Sequence, residues 1–154
     1  MSSPTAPDPF SCQAWLLDGP INSMPGILQW TGEKFEFISF GQGTFFAKGL
    51  RKFLESYGAS EAAAEAIEAE EPTHVFSVPV DEVSNFKVPF IYFGKGMKFE
   101  VQGRKSRVSF IQPQNTKLPA RIVGFGASDW FNELSQVHVA APKSDIKLWK
   151  QLLG

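Results

Sequence analysis

The stretch 94–112 limits what this chain can fold into more than any other. From Met97 to Ile111 it carries two alternating runs, with Met97, Phe99 and Val101 on one face and Lys98, Glu100 and Gln102 on the other. Gly103-Arg104 separates the runs. Glycine first suits a two-residue II′ hairpin loop, because it accepts positive φ at the first central position without a Cβ clash. Counting outward places Phe99 opposite Val108 and Met97 opposite Phe110 on the core side, and Glu100 opposite Arg107 on the wet side. A hairpin with one buried face needs a second layer.

The 154 residues suffice for one domain with a sizeable core, and 43% apolar content excludes wholesale disorder. Fifteen phenylalanines against two tyrosines point to a phenylalanine-filled interior. A net charge of −1 gives no overall field toward nucleic acid or anionic membrane, so nucleic acid is not expected as a partner and any attraction is local. The single cysteine, Cys12, forms neither an internal disulfide nor a thiolate metal cluster, which fits a reducing compartment. Residues 1–10 read as a flexible arm without the basic start or apolar run of a signal peptide, and residues 11–154 as one domain. A soluble cytoplasmic protein is expected.

Strands are expected at Cys12–Leu17, Ile27–Thr31 and Phe35–Phe40, with Phe35 and Phe37 alternating against Glu36. Ile38 and Phe40 make the second face apolar there, so that end must be covered. From Thr44 to Tyr57 the period changes to the helical value, with Phe46, Leu50, Phe53 and Tyr57 in line, Thr44 as N-cap and Gly58 as stop. Ser60 caps a second, acidic helix running to Glu71 and stopped by Pro72. The whole of 44–71 is a helical insertion. Further strands are expected at Val75–Val80, where Pro79 implies an edge or bulge, and at Lys87–Phe93. Within 120–139, Ile122–Phe125 looks extended and Asp129–Leu134 helical after Ser128. A final helix spans Pro142–Leu153, with Ser144 as cap and Ile146, Trp149 and Leu153 in line.

Seven antiparallel strands, a helical insertion between the third and fourth, and one closing helix make a mainly β, α+β chain. The residues Gly19-Pro20-Ile21-Asn22-Ser23, Gly26-Ile27-Leu28, Lys34-Phe35-Glu36-Phe37, Phe76-Ser77-Val78-Pro79-Val80-Asp81-Glu82-Val83 and Lys147-Leu148-Trp149-Lys150-Gln151-Leu152-Leu153 carry a likeness. With them the chain resembles the pleckstrin-homology (PH) superfold, and more closely the GRAM and bacterial PH-like domains. The resemblance implies a seven-stranded barrel plugged by the last helix, and lipid or partner contacts at the end shared by the inserted helices, the strand one-two loop and the strand six-seven turn.

Arg104, Lys105 and Arg107, with Lys95 and Lys98, concentrate positive charge at that turn. The plainer reading is a solvated tip whose Arg107 pairs with Glu100. The strand two-three turn offers only Glu33 and Lys34, which makes a poor inositol-phosphate pocket. Phe45 and Phe46 with Lys48, Arg51 and Lys52 suit a membrane interface, a covering of the Ile38 and Phe40 face, or pairing with another copy. Gly41-Gln42-Gly43 lacks the third glycine of a dinucleotide loop, since Phe46 stands there. Gly124-Phe125-Gly126 is a weaker match. His74 and His138 stand far apart without ligand spacing, and Asp81-Glu82 reads as a turn, so neither metal nor cofactor is expected. No nucleophile elbow or phosphate loop is present. The leading expectation is a non-catalytic module that docks a protein or anionic lipid surface. Self-association through the helical insertion comes second and a ligand-holding barrel or enzyme third.

Overall fold

The computed structural model describes residues 7–89, 95–111, 113 and 146–154. Seven strands, β1 (Phe10–Asp18), β2 (Asn22–Trp30), β3 (Lys34–Ser39), β4 (Thr73–Pro79), β5 (Val83–Lys87), β6 (Gly96–Val101) and β7 (Arg104–Ser109), form one sheet. Their order is β4-β3-β2-β1-β7-β6-β5, and every pairing is antiparallel. Among the described residues the helices are α1 (Ala47–Glu55), α2 (Glu61–Glu68) and α3 (Ile146–Leu153).

Curvature follows from one aromatic contact. Phe35 on β3 and Phe99 on β6 are four strand steps apart, about 19 Å on a flat sheet. Their ring centroids lie 5.2 Å apart, edge to face. The sheet therefore curls into a half-barrel whose two wings meet through phenylalanines. Among the described residues it stays open, with β4 and β5 as edges. This replaces the expectation of a barrel: β4 ends at Pro79, which has no N–H to extend a ladder, and the β5 register with β6 shifts after Ser84.

Alternation fills the concave side. Cys12, Ala14 and Leu16 of β1, Met24, Leu28 and Trp30 of β2, Phe35 and Phe37 of β3, and Met97, Phe99 and Val101 of β6 share one core. A register shift at Phe37/Ile38 leaves Val75 without a β3 partner, so Val75 and its neighbour Phe76 both enter that core. Trp149 of α3 closes it, fully buried, 4.3 Å from the Phe10 ring and 5.6 Å from Phe35. Truncation there to alanine would cost about 3–5 kcal/mol. Trp15, Ile27, Ile38 and Phe40 are buried on the opposite face, as the second apolar run of the third strand required.

Several boundaries differ from expectation. β1 starts at Phe10, and the Trp30 indole N–H donates to the Pro7 carbonyl at 2.9 Å, which anchors the last residues of the arm. β2 starts at Asn22 and includes Pro25, whose carbonyl accepts from Phe40 N. The missing Pro25 N–H falls on that same side, past the last registered pair Gly26↔Ser39, so it removes at most one bond at the end of the β2–β3 ladder. The fifth strand is Val83–Lys87, earlier than the Lys87–Phe93 run, because an edge strand with polar, exposed Ser84 and Asn85 reads as a turn. Residues 90–93 of that run, the elements expected in 120–139, Ser144 and His138 lie outside the described residues.

The hairpin turn is Gln102-Gly103, not Gly103-Arg104. Val101 pairs with Arg104, and φ is +50° at Gln102 and +82° at Gly103, so both central residues are left-handed, as in a type I′ loop. Phe99 faces Ser106, Met97 faces Val108, Glu100 faces Lys105 and Lys98 faces Arg107. Moving the turn by one residue shifts each pairing by two, so every side chain keeps its face.

Candidate docking surface

The β5–β7 wing has a concave and an outer side. Phe99, Ser106 and Val108 point inward; Lys98, Lys105 and Arg107 point outward. Across three adjacent strands Lys87 pairs with Lys98 and Lys98 with Arg107, three cations in one row. In the next row Ser84 pairs with Glu100 and Glu100 with Lys105. The Glu100 carboxylate accepts from Asn85 Nδ2 at 2.8 Å. The expected Arg107–Glu100 pair is not formed. Arg107 Nη2 instead donates to the Gly19 carbonyl at 2.6 Å, tying β7 to the β1–β2 turn. Among the described residues none of Lys87, Lys95, Lys98, Lys105 and Arg107 makes an ion pair. Leu17, Asp18, Gly19, Lys98, Lys105 and Arg107 line a cleft of about 240 Å³, with Asp18 its one acid.

Lys87 was not among the expected site residues. Placing the fifth strand late hid its register with Lys98.

Arg104 also lines that cleft, but its guanidinium is turned away from the outer face. Paired with Val101 it faces inward, its guanidinium over the Tyr57 ring at 4.5 Å and the Phe53 ring at 5.2 Å, and Nε donates to Ser56 Oγ at 3.0 Å. It clamps the hairpin to the end of α1. The Tyr57 hydroxyl lies 2.7 Å from Ser106 Oγ; burial pushes that phenol up, against the lowering effects of Ser106 and Arg104. These bonds, with that of Arg107, place the β6–β7 turn, the β1–β2 turn and the inserted helices at one end, as alternation predicted.

The helix residues divide as well. Ala47 is the first helical residue, so Phe46 is an extended N-cap outside the apolar stripe and its neighbour Phe45 turns in, stacking on Phe53 at 4.8 Å. Phe45 is therefore core, not an exposed anchor. Thr44 does not cap α1: its hydroxyl accepts from Ser23 N at 2.9 Å. Ser60 does cap α2, accepting from Ala63 N. Arg51 is occupied by Glu61 at 2.8 Å and Glu68 at 2.9 Å, and this holds the Glu68 carboxyl below its usual range. Lys48 and Lys52 are exposed. Leu50, Phe53 and Leu54 face the domain's own core and do not cover the Ile38 and Phe40 face.

Gly43 explains the glycine pair after β3 without a phosphate. Its φ is +58°, and a Cβ there would stand 2.0 Å from the Ser23 carbonyl oxygen. The loop is a close approach of backbone to backbone.

A polar row, buried at Gln29 and Glu36 and exposed at Ser77 and His74, crosses β2, β3 and β4 on the outer side. The Glu36 carboxylate accepts from Gln29 Nε2 at 2.6 Å and Ser77 Oγ at 2.5 Å, and lies 3.2 Å from His74 Nε2. Burial pushes the Glu36 carboxyl up, but the bonds from Ser77 and Gln29 and the His74 charge outweigh it and hold the group below the ordinary carboxylate range. Ser77 bonds to the acid rather than to the histidine, so the trio lacks a nucleophile–base contact. Alternation alone reads Glu36 as solvent-facing, which hid this row.

No protein-family model, curated protein or solved structure matches the chain. Among the described residues no helix is long and apolar enough to cross a membrane, and no three His, Cys, Asp or Glu side chains gather as a metal site.

Proposed function

We propose that this chain is a non-catalytic, PH/GRAM-like docking module of the cytoplasm that holds an anionic partner against the outer face of β5, β6 and β7. The row Lys87, Lys98, Arg107 carries the reading. Like charges directly opposite one another destabilise a sheet, and of the three only Arg107 has a structural partner, the Gly19 carbonyl. An anion laid across the row turns that repulsion into attraction. The strand order, the insertion after β3 and the closing Trp149 support the PH-like reading. Lys98, Lys105 and Arg107 supply the charge, with Lys87 added; Arg104, Arg51 and Phe45 have structural partners and are set aside.

The test is elution from an immobilised sulfated polysaccharide. Lys87→Gln with Lys98→Gln should elute at clearly lower salt than the parent, whereas Lys34→Gln with Lys150→Gln, an equal change in charge elsewhere, should move it little. Equal shifts would mean that net charge alone is read, and the docking face would be abandoned. The rival, self-association through the insertion, has no apolar seam to use, since Leu50, Phe53 and Leu54 are inside.

A further inference from the structure

β4 is an edge strand, and among the described residues no backbone group pairs with its second side. Alternate residues of an antiparallel strand aim N–H and C=O away from the paired neighbour, so this side of β4 presents open donors and acceptors. Pro79 has no N–H to offer, which limits the usable edge to residues 73–78. A groove of about 400 Å³ follows that edge. Five consecutive strand residues, 74–78, make one wall, a run of about 13 Å from first Cα to last. The facing wall is built of small residues, Gly58, Ala59, Ser60 and Ala63, where α1 gives way to α2. A Cβ built on Gly58 meets nothing within 4 Å, so the space beside that wall is open.

We infer that this groove takes an extended segment of a partner protein, flanked by lysine or arginine, which adds to β4 as a further strand. β4 and β5 are opposite edges of the sheet, so the inference stands apart from the docking reading of the β5–β7 face. Main-chain bonds to the edge supply the affinity, and the side chains of the segment alternate. One set meets Ala59 and Ala63, where small or branched apolar groups fit. The other set stands beside exposed His74 and Ser77 and is polar. Charge selects the occupant. No lysine or arginine lines the groove, and exposed acids flank the strand: Glu71 before it, Asp81 and Glu82 after it, none in an ion pair among the described residues. Glu82 Oε1 accepts from Gln102 Nε2 at 2.6 Å, and Gln102 lines the groove, which puts that acid at its mouth. Lys34, the cation paired with Pro79, lies on the β3 side. The start of α2 adds no opposing field, since Ser60 caps it and Glu61 stands in its first turn. The same acids disfavour a second copy of the chain. Antiparallel pairing of two β4 edges would set Glu71 of one copy near Asp81 and Glu82 of the other, like charge against like.

Anisotropy of the labelled probe Lys-Val-Thr-Val-Thr-Val-Thr-Lys, titrated with the full chain, tests the inference. Binding should saturate, and the same probe with glutamate at both ends should bind about tenfold more weakly. Of two probes methylated at alternate backbone nitrogens, one should lose binding and the other keep most of it, because only one set of N–H groups faces β4. Ala63→Leu, which fills the small wall, should weaken binding about tenfold or more with thermal unfolding unchanged. Lys87→Gln with Lys98→Gln should leave probe binding as it is. Amide exchange in residues 73–78 should slow when the probe is bound. Equal binding of the two methylated probes, or protection that falls outside β4, would overturn edge pairing. Tighter binding of the glutamate-ended probe would overturn the basic occupant, and dimerisation of the chain that the probe reverses would give the edge to a second copy instead. Absence of saturable binding would remove the groove as a docking site.

Discussion

The guanidinium carbon of Arg104 stands 4.5 Å from the centre of the Tyr57 ring, at the junction of the β6–β7 hairpin and α1. A residue that belongs by sequence to a basic turn is thus a clamp between sheet and insertion. Arg104→Ala should lower unfolding free energy by about 1–2 kcal/mol, from the ring contact and the bond to Ser56 together. Arg104→Lys should recover only part, because an ammonium cannot stack as a plane. Lys105→Ala, one residue on, should change stability little. Urea unfolding of the three variants checks this, and equal losses at 104 and 105 would remove the clamp.

Two left-handed glycines should respond differently to substitution. Gly103 has φ +82° with nothing within 4 Å of a built Cβ, so its cost is conformational alone. Gly103→Val should destabilise by about 1–2 kcal/mol, and Gly103→Asn by clearly less, since asparagine tolerates this region. Gly43→Ala combines a φ of +58° with a collision at the Ser23 carbonyl and should cost about 3 kcal/mol. Thermal unfolding of the set ranks them; Gly43→Ala as mild as Gly103→Asn would contradict the close approach.

Acid should loosen the β3–β4 wing through Glu36. Its folded carboxyl titrates below its unfolded value of about 4.3, so the stabilisation it adds is full above that pH and is lost as pH falls through the lower, folded value. Glu36→Gln should be less stable than the parent at pH 7 and lose less on going to pH 3. Urea midpoints across that range measure the difference, and parallel curves would show that other carboxylates carry the acid response.

Cys12 is buried and free, and burial pushes its thiol up to about 12 despite the opposing effect of Trp149. At neutral pH the folded protein therefore holds almost no thiolate. Labelling by a disulfide reagent should be negligible in buffer and should appear with urea in step with loss of tryptophan signal. Fast labelling without denaturant would place the thiol outside the core.

What the chain declares locally is its periodicity. Alternation at Met97, Phe99 and Val101 named the inward face of β6, and the i, i+3 spacing of Leu50 and Phe53 named the inner side of α1, because each repeat is set by backbone geometry within a few residues. The cap at Ser60, the stop at Gly58 and the burial of Trp149 were legible for the same reason. Even the hairpin kept its faces when its turn moved by one residue, since parity survives a shift of two. Other features depend on which strands become neighbours. Glu36 looks solvated in its own strand and is buried only because Gln29 and Ser77 lie on either side of it. Lys87 joins Lys98 only through the register of an edge strand whose polar residues resemble a turn. Arg104 leaves the basic face because Tyr57 and Phe53, some fifty residues earlier, offer their rings. Contacts across such distances are set by how the sheet curls, and no local repeat encodes the curl.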